Sequence, residues 1–402
     1  MKKKTQSRLL SYIVVSILAL LLSIPMGAVA AQKTLQIGFM AGMTGFASDA
    51  GQIFEQGARL AEEWINAKGG ITINGEPYLI ELLVEDHKCS AEGSVSAATK
   101  LVYDKKVKFI AGTIMPFIVA SAGTVTEPAK VLRSVLYNCA TPSEYGPDTP
   151  YTFVVENATV EGTIGTLNYL VKAYPKAKSI VVLIPDDGAI PFLGPIVGKL
   201  AKERGIKVIG KTIGWPLDTI DFTSIAHKAV ARKADAIVSV NGWPAMQGGI
   251  LKAARQTGYT NPIFITNYSP SSDILAVAGK EASTDFFTNG VTVGAPGNPP
   301  MLDEFARNVE AKYKHQSYYF AAMGFDGVWV LVQAIEAAQS LDPGVVKTKW
   351  ETMEKMDTLF GPGTLGGLKT YGIKHTVSHS VPIQGLVKGE VKHLSWENIS
   401  MP

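Results

Sequence analysis

The chain has 402 residues, two cysteines and a formal net charge of +3 at neutral pH. A chain of this length favours two domains. The sequence does not indicate the clustered basic face that nucleic-acid binding requires, so we expect no nucleic-acid partner.

Residues 1–30 have the pattern of a cleaved secretory signal peptide. Four basic and no acidic residues precede an apolar run from Leu9 to Ile24, and Ala28-Val-Ala30 fits the small-x-small cleavage rule. We expect a mature periplasmic chain of 372 residues that begins at Ala31. Without the four basic residues of this leader, the net charge of +3 becomes −1. The alternative is an uncleaved anchor, but a membrane span needs roughly 20 apolar residues. No later segment is expected to have the length and apolarity of a membrane span.

From residue 35 to about 285, short apolar strands alternate with amphipathic helices. The predicted strands are Leu35–Met40, Tyr78–Val84, Phe109–Gly112, Ser134–Tyr137, Ile180–Ile184, Val208–Ile213, Ala236–Val240 and Pro262–Thr266. The predicted helices are Gln52–Lys68, Ser94–Tyr103, Ile164–Ala173, Leu193–Arg204, Phe222–Arg232 and Met246–Thr257. Most of the strands are apolar throughout, as parallel strands buried on both faces are. The alternation predicts right-handed βαβ crossovers and doubly wound sheets.

Three segments rich in Gly and Pro interrupt this alternation, at residues 138–150, 293–300 and 359–367. They indicate an α/β protein with two doubly wound parallel-sheet lobes joined by three crossover strands. The predicted boundaries are residues 31–154 and 292–356 for lobe 1, and residues 155–291 and 357–402 for lobe 2. Two more helices, Met301–Lys314 and Phe320–Gln339, and a β-rich tail with a hairpin near Lys388 complete the chain. Ligands of open α/β sheets bind beyond the carboxyl ends of the strands, so the cleft between the lobes is the candidate site.

Short motifs follow one another in order through residues 35–390. They are Gly42-Met-Thr-Gly45, Gly57-Ala-Arg59, Ile65-Asn-Ala-Lys-Gly-Gly-Ile71, Glu85-Asp86, Phe109-Ile-Ala-Gly112, Ala140-Thr-Pro-Ser-Glu144, Asp221-Phe222, Gly248-Gly-Ile-Leu-Lys-Ala-Ala-Arg255 and Phe360-Gly-Pro-Gly363. With this ordered set, the chain resembles the periplasmic substrate-binding proteins of leucine/isoleucine/valine-type (branched-chain amino acid) ABC importers. The resemblance implies a type I periplasmic binding fold, or venus flytrap. It also implies a monomer without enzymatic activity or cofactor, which delivers a small solute to a membrane permease.

The resemblance also implies ligand contacts, carried over one position at a time. The implied contacts are Met115, Phe117, Cys139 and Thr141 in lobe 1, and Phe192, Trp243 and Tyr268 in lobe 2. Thr141 would hydrogen-bond an anionic group of the ligand, and the rings would set the shape of the pocket. Amino-acid binders carry hydroxyls in the loop around Met115, and this chain has none between Ile114 and Ile118.

This chain departs further from the family at the position that binds an α-ammonium group in amino-acid binders. That position falls on Asn267 or Tyr268, and neither side chain carries a negative charge at neutral pH. A cleft poor in charge and rich in rings favours an aromatic or other hydrophobic carboxylate over free leucine. The alternative is that Asp186 or Asp187 supplies the acidic contact, and that some of the rings belong to the lobe cores.

Cys89 and Cys139 are expected in an oxidising compartment, where a disulfide can form. In the amino-acid binders a cysteine at the position of Cys89 pairs with one at the position of Met115. A bridge from Cys89 to Cys139 would therefore require the loop around Cys89 to fold over the sheet. The alternative is two separate buried thiols.

Other signals favour neither a metal site nor an enzyme. His375 and His379 have H-x3-H spacing, but on a strand they would lie about 13 Å apart, so no metal site is predicted. Neither a G-x-S-x-G elbow nor a P-loop is present in the sequence. A ligand-sensing domain for a partner signalling protein is the main alternative to a transport receptor, and a secreted hydrolase is a weaker one.

Overall fold

The computed structural model describes residues 33–137, 141, 144–268, 271–279, 282, 284–315, 317–387, 390–399 and 401, apart from the side chains of residues 267, 268 and 387. The chain forms two β-sheets with helices on their faces. The signal peptide predicted for residues 1–30 lies outside the described residues.

The first sheet has nine strands and is parallel at its centre. Its strands are β1 (Lys33–Ala41), β2 (Ile71–Ile73), β3 (Glu76–Asp86), β4 (Phe109–Gly112), β5 (Leu132–Val135), β6 (Thr152–Val154), β13 (Met356–Thr358), β14 (Gly361–Gly366) and β15 (Thr376–Ser378). Their order across the sheet is β13-β14-β15-β6-β5-β4-β1-β3-β2. The central strand β1 pairs in parallel with both β3 and β4, and its Ile37 and Phe39 are fully buried.

The second sheet has a parallel centre and an antiparallel hairpin at one edge. Its strands are β7 (Ser179–Pro185), β8 (Lys207–Val208), β9 (Ile213–Trp215), β10 (Ala236–Ser239), β11 (Ile263–Tyr268), β12 (Phe286–Asn289), β16 (Val381–Val387) and β17 (Glu390–Glu397). Their order is β17-β16-β12-β11-β10-β7-β8, with β9 also beside β7. The predicted strand at 208–213 is split into β8 and β9, because Gly210 adopts a positive φ of 70° between them.

Helices cover both sheets. In lobe 1, which is built on the first sheet, they are α1 (Ser48–Ala67), α2 (Ala91–Thr99, extended by a π-helical turn over Lys100–Asp104), α3 (Pro116–Thr126), α9 (Pro300–Tyr313), α10 (Tyr318–Ala338), α11 (Pro343–Glu351) and α12 (Leu368–Tyr371). In lobe 2, built on the second sheet, they are α4 (Thr159–Ala173), α5 (Ile190–Glu203), α6 (Thr223–Val230), α7 (Pro244–Gln256) and α8 (Ser271–Ala278). The sequence pattern had not predicted α3, α8, α11 or α12.

The chain passes between the sheets three times: between β6 and α4, between β12 and α9, and between β15 and β16. The third passage differs from the predicted boundary at residue 356. Strands β13 to β15 extend the first sheet, and Thr376 pairs in parallel with Val154 of β6. The third passage therefore lies at His379 and Ser380, and residues 356–378 belong with lobe 1 rather than lobe 2.

Helix α10 crosses the face of the first sheet against α1. By length and composition alone it could span a membrane, but most of it is buried inside the protein. It is the one described helix that meets this criterion, which differs from the expectation that no segment after the leader would. Its apolarity on all sides fits a helix covered by neighbouring elements.

Two glycines allow α1 and α10 to approach closely. A Cβ atom on Gly57 would overlap the carbonyl oxygen of Ala321, and a Cβ atom on Gly324 would overlap that of Phe54.

Because both overlapped atoms belong to the backbone, we expect Gly57→Ala to lower the free energy of unfolding by about 3 kcal/mol. Urea unfolding would measure this effect. Gly198→Ala in α5 is the control, since a Cβ there meets nothing within 4 Å. That change should stabilise the chain by about 0.5 kcal/mol, and an equal loss for both variants would contradict the close-packing explanation.

Candidate functional site

A cavity with about 760 Å³ of non-atom space opens between the two lobes. Most of its lining follows the carboxyl ends of strands from both sheets, where a doubly wound fold places its ligands. Helices α1 and α10 supply the remaining part. The lining residues are Phe46, Phe54, Ile114, Met115, Pro116, Phe117, Tyr137, Pro185, Asp187, Leu217, Asn241, Gly242, Trp243, Phe320 and Met323.

The lobe 1 wall is built where β4 turns into α3. Thr113 and Met115 both have positive φ angles, of 69° and 77°. Such angles are costly for residues with side chains and are common at functional sites. Pro116 begins α3, and no side chain among the described residues caps this helix end. The first N–H groups of α3 therefore form a partly positive helix end beside the cavity.

The lobe 2 wall repeats this arrangement where β10 turns into α7. Asn241 has a φ of 64°, and the loop continues through Gly242 and Trp243 into Pro244 at the first turn of α7. Within the described residues, no side chain caps this helix end either. Two helix N-termini from opposite lobes thus border one cavity.

Asp187 is the one charged side chain among the described residues that line the cavity. Its Oδ1 accepts a hydrogen bond from the N–H of Ala189 at 3.0 Å, and its Oδ2 accepts one from Asn241 Nδ2 at 3.3 Å. The neighbouring Asp186 is exposed and does not line the cavity. Of the two acidic residues considered from the sequence, Asp187 is therefore the one at the cavity wall.

The structure brings together three of the predicted ligand contacts, Met115, Phe117 and Trp243, in this cavity. Phe192 is half-buried and packs against the hydrophobic core instead. Thr141 does not line the cavity, and its N–H and hydroxyl both donate to Glu144 Oε1, at 2.9 and 2.6 Å. Cys139 and the side chain of Tyr268 lie outside the described part of the chain.

Sequence reasoning missed several cavity residues. Phe54 on α1, and Phe320 and Met323 on α10, are not among the contacts that the family resemblance implied. Tyr137 lies just after β5, and its hydroxyl is hydrogen-bonded at 2.6 Å to that of Thr159, the first residue of α4. The usable signal was its position directly after a strand, where a doubly wound fold places its ligands.

Among the described residues, Cys89 is a free, buried thiol. Cys139 lies outside those residues, so a bridge between the two cysteines stays a prediction. The Cys89 sulfur lies beneath the loop after β1 and accepts a hydrogen bond from the N–H of Ala47. Burial raises the pKa of this thiol. Strands β3 and β5, which precede the two cysteines, are separated by β1 and β4. That separation is about 14 Å, too far for a disulfide without a long loop between them.

The two histidines of the H-x3-H pattern bind different carboxylates. His375 Nε2 lies 2.8 Å from Glu351, and His379 Nε2 lies 2.8 Å from Glu156. In the part of the chain that the structure describes, no three His, Cys, Asp or Glu side chains group in a way that could hold a metal ion.

A buried polar cluster joins two of the three passages to α10. It consists of Glu156 in the first passage, His379 in the third, and Asp326 and Tyr319 on α10. Tyr319 donates to Glu156 at 3.3 Å, and Asp326 accepts from the N–H of Leu359 at 2.9 Å. Burial raises the pKa of Glu156 to about 8 and that of Asp326 well above its ordinary value, and it lowers the pKa of His379 to about 4. The Glu156–His379 contact is therefore a hydrogen bond between neutral groups rather than an ion pair.

Comparisons with known proteins agree with this architecture. The family profile described as "Periplasmic binding protein" matches residues 34–390. A leucine-, isoleucine-, valine-, threonine- and alanine-binding protein of Pseudomonas aeruginosa is 26% identical over 319 residues, which cover 78% of this chain and 81% of that protein.

Two solved structures share the fold. The branched-chain amino acid transporter substrate-binding protein of Streptococcus pneumoniae, in complex with isoleucine, aligns with a TM-score of 0.71 and 22% identity, over 91% of this chain and 99% of that one. A solute-binding protein of an ABC transporter from Rhodopseudomonas palustris, in complex with 3,4-dihydroxybenzoic acid, aligns with a TM-score of 0.71 and 19% identity, over 90% and 97%. These relatives bind two different classes of solute in one architecture.

Proposed function

Because the chain belongs to the periplasmic binding protein family and is of its leucine/isoleucine/valine-binding type, we propose that it is the solute receptor of an ABC importer. It carries no catalytic activity in this proposal. The leader of residues 1–30 directs it to the periplasm, where it works as a monomer and delivers its solute to a membrane permease.

The solute is an aromatic or other hydrophobic carboxylate. The observation that carries this proposal is the cavity lining, which among the described residues includes six aromatic residues and a single charged side chain. The aromatic residues are Phe46, Phe54, Phe117, Tyr137, Trp243 and Phe320. Flat apolar surfaces of this kind match the faces of an aromatic ring, and few polar groups are needed to orient it.

The carboxylate is held by the uncapped helix ends. The N-terminus of α3 comes from lobe 1 and that of α7 from lobe 2, and both border the cavity. Helix N-termini bind anions through their free N–H groups and the helix dipole. A solute that contacts both ends stabilises the closed arrangement of the lobes, so binding and closure are coupled.

An amino acid with a large apolar side chain is the second candidate, and Asp187 is the observation that favours it. Its carboxylate at the cavity wall could form an ion pair with an α-ammonium group. The side chains of Asn267 and Tyr268 carry no negative charge at neutral pH and cannot form that ion pair. Asp187→Asn separates the two candidates, since Asn can still accept the hydrogen bond from Ala189 but carries no charge.

For an aromatic carboxylate, we expect Asp187→Asn to leave the affinity for benzoate within about threefold of the wild-type value, because no ammonium group depends on the charge. For an amino acid, the same change should weaken binding of leucine or phenylalanine at least about 30-fold, since the ammonium loses its partner. Isothermal titration calorimetry measures both. Asp186→Asn, at the exposed neighbour, is the matched control and should change neither affinity.

A ligand-sensing domain for a partner signalling protein would share the fold and the cavity. Transport assays separate the two roles, because a receptor of an importer stimulates uptake by its permease. Binding without any effect on uptake would favour the sensing role.

A further inference from the structure

A second, smaller pocket lies next to the main cavity, beneath the loop that follows β1. We call it the loop pocket; it has about 240 Å³ of non-atom space, and its walls include His87, Cys89 and Thr113. Phe54, Ile114 and Met115 line both cavities and so form the partition between them. Met115 is the most adaptable of these, because methionine is unbranched and has three rotatable bonds.

Thr113 has an unused hydrogen-bonding group at this pocket. Its N–H donates to Met40 at 2.9 Å and its carbonyl accepts from Leu136 at 3.2 Å, so strands on either side fix its backbone. The side chain is only 3% exposed, and its hydroxyl has no partner among the described residues. A β-branched residue at positive φ and an unpaired buried hydroxyl are both unfavourable. Their combination at one lining residue indicates a group kept for a ligand.

The other polar groups of the loop pocket are neutral. His87 Nδ1 accepts a hydrogen bond from the N–H of Cys89 at 3.2 Å, which places the ring hydrogen on Nε2. Burial lowers the pKa of His87 to about 4, so the ring is uncharged at neutral pH. Asp86, which interacts electrostatically with both His87 and Cys89, disfavours an anion in the pocket.

We propose that the loop pocket is a subsite for a neutral hydroxyl group of the solute, with the Thr113 hydroxyl as its hydrogen-bond partner. This rests on the proposed function, in which the main cavity binds an aromatic or hydrophobic carboxylate. The ring lies in the main cavity, Met115 moves aside, and the ring substituent enters the loop pocket. The subsite selects hydroxylated solutes over unsubstituted ones and rejects a second carboxylate.

The test compares benzoate with 3- and 4-hydroxybenzoate by calorimetry on the wild type, Thr113→Val and Thr113→Ser. We expect one hydroxybenzoate to bind the wild type about tenfold tighter than benzoate, which corresponds to about one charge-free hydrogen bond. Thr113→Val, which has the same shape without the hydroxyl, should abolish this preference and leave benzoate affinity within about twofold. Thr113→Ser should retain the preference. Equal losses for benzoate and the hydroxybenzoates in Thr113→Val would overturn the proposal.

A second measurement does not depend on the solute. If the hydroxyl is unpaired, Thr113→Val should raise the melting temperature of the ligand-free protein. A lower melting temperature would show that the hydroxyl already has a partner, and would overturn the subsite.

Failure of all three benzoates to bind would refute the aromatic-acid function rather than the subsite. Phenylalanine and tyrosine then make the same comparison, and tyrosine bound no more tightly than phenylalanine would refute the subsite.

Discussion

Trp243→Ala should weaken binding of an aromatic carboxylate about 100-fold. Trp243 is half-buried, lines the cavity and precedes α7, whose N-terminus is the proposed carboxylate contact in lobe 2. Removing the indole takes away a large apolar surface, worth about 2 to 3 kcal/mol of binding free energy. Calorimetry with benzoate gives the loss directly.

The control for this variant is Tyr103→Ala. Tyr103 is 58% exposed and does not line the cavity, so its removal should leave the affinity unchanged. Urea unfolding of both variants shows whether the fold is preserved. A folded Trp243→Ala protein that binds benzoate as tightly as the wild type would remove Trp243 from the site.

The free energy of unfolding should fall as the pH rises from about 6.5 to 8. Burial raises the pKa of Glu156 from 4.5 to about 8, so the folded chain keeps a proton that the unfolded chain releases above pH 4.5. Stability therefore decreases with pH until Glu156 ionises in the folded state, by about 2 kcal/mol over this window. Asp326 and Glu161 have raised pKa values and act in the same direction, although Glu161 titrates near 7.

His379 acts in the opposite direction at lower pH. Its pKa is lowered from 6.5 to about 4, so its contribution to stability grows as the pH rises and is complete near 6.5. Below pH 6.5, the gain in stability from His379 offsets the loss from Glu156. The decline in the free energy of unfolding therefore appears above pH 6.5. Tyr319 of the buried cluster donates to Glu156, and the buried Tyr371 donates to Glu161.

Glu156→Gln should make this decline smaller by about 2 kcal/mol, because Gln has no proton to release. The part of the decline that arises from Asp326 and Glu161 should remain. Glu304→Gln is the matched control, since Glu304 is an exposed residue of α9 and its loss should leave the pH dependence unchanged. Urea unfolding at several pH values from 6 to 9 measures the slopes. An unchanged slope in Glu156→Gln would show that the decline arises elsewhere.

The fold was largely predictable because each central strand is one continuous run of apolar residues that can be recognised in the sequence. Strands such as β4 and β7 are runs of apolar residues between amphipathic helices, and such runs identify buried parallel strands without tertiary information. The edge segment of residues 356–378 was not predictable in the same way. Its hairpin pattern is the same whichever sheet it joins, and contacts with residues distant in the sequence, such as the pairing of Thr376 with Val154, assign it to lobe 1.

The candidate site was predictable where its residues directly follow strands. The family resemblance implied Met115, Phe117 and Trp243, which lie in loops that follow strands, and all three line the cavity. Phe54 and Phe320 lie on helices whose apolar stripes look like core in the sequence. Their rings meet at 5.5 Å between centroids and reach the cavity only because α1 and α10 pack closely through Gly57 and Gly324. No pattern in the sequence around Phe54 or Phe320 predicts that contact.

The most direct test of the proposed receptor is a calorimetric titration of the protein with benzoate and with leucine. Within the described part of the chain, the lining is aromatic, Asp187 is its one acidic side chain, and no side chain caps the two helix ends. These features predict that benzoate binds and that leucine binds much more weakly or not at all. Tight binding of leucine without measurable binding of benzoate would contradict the proposed solute and would assign Asp187 to an α-ammonium group.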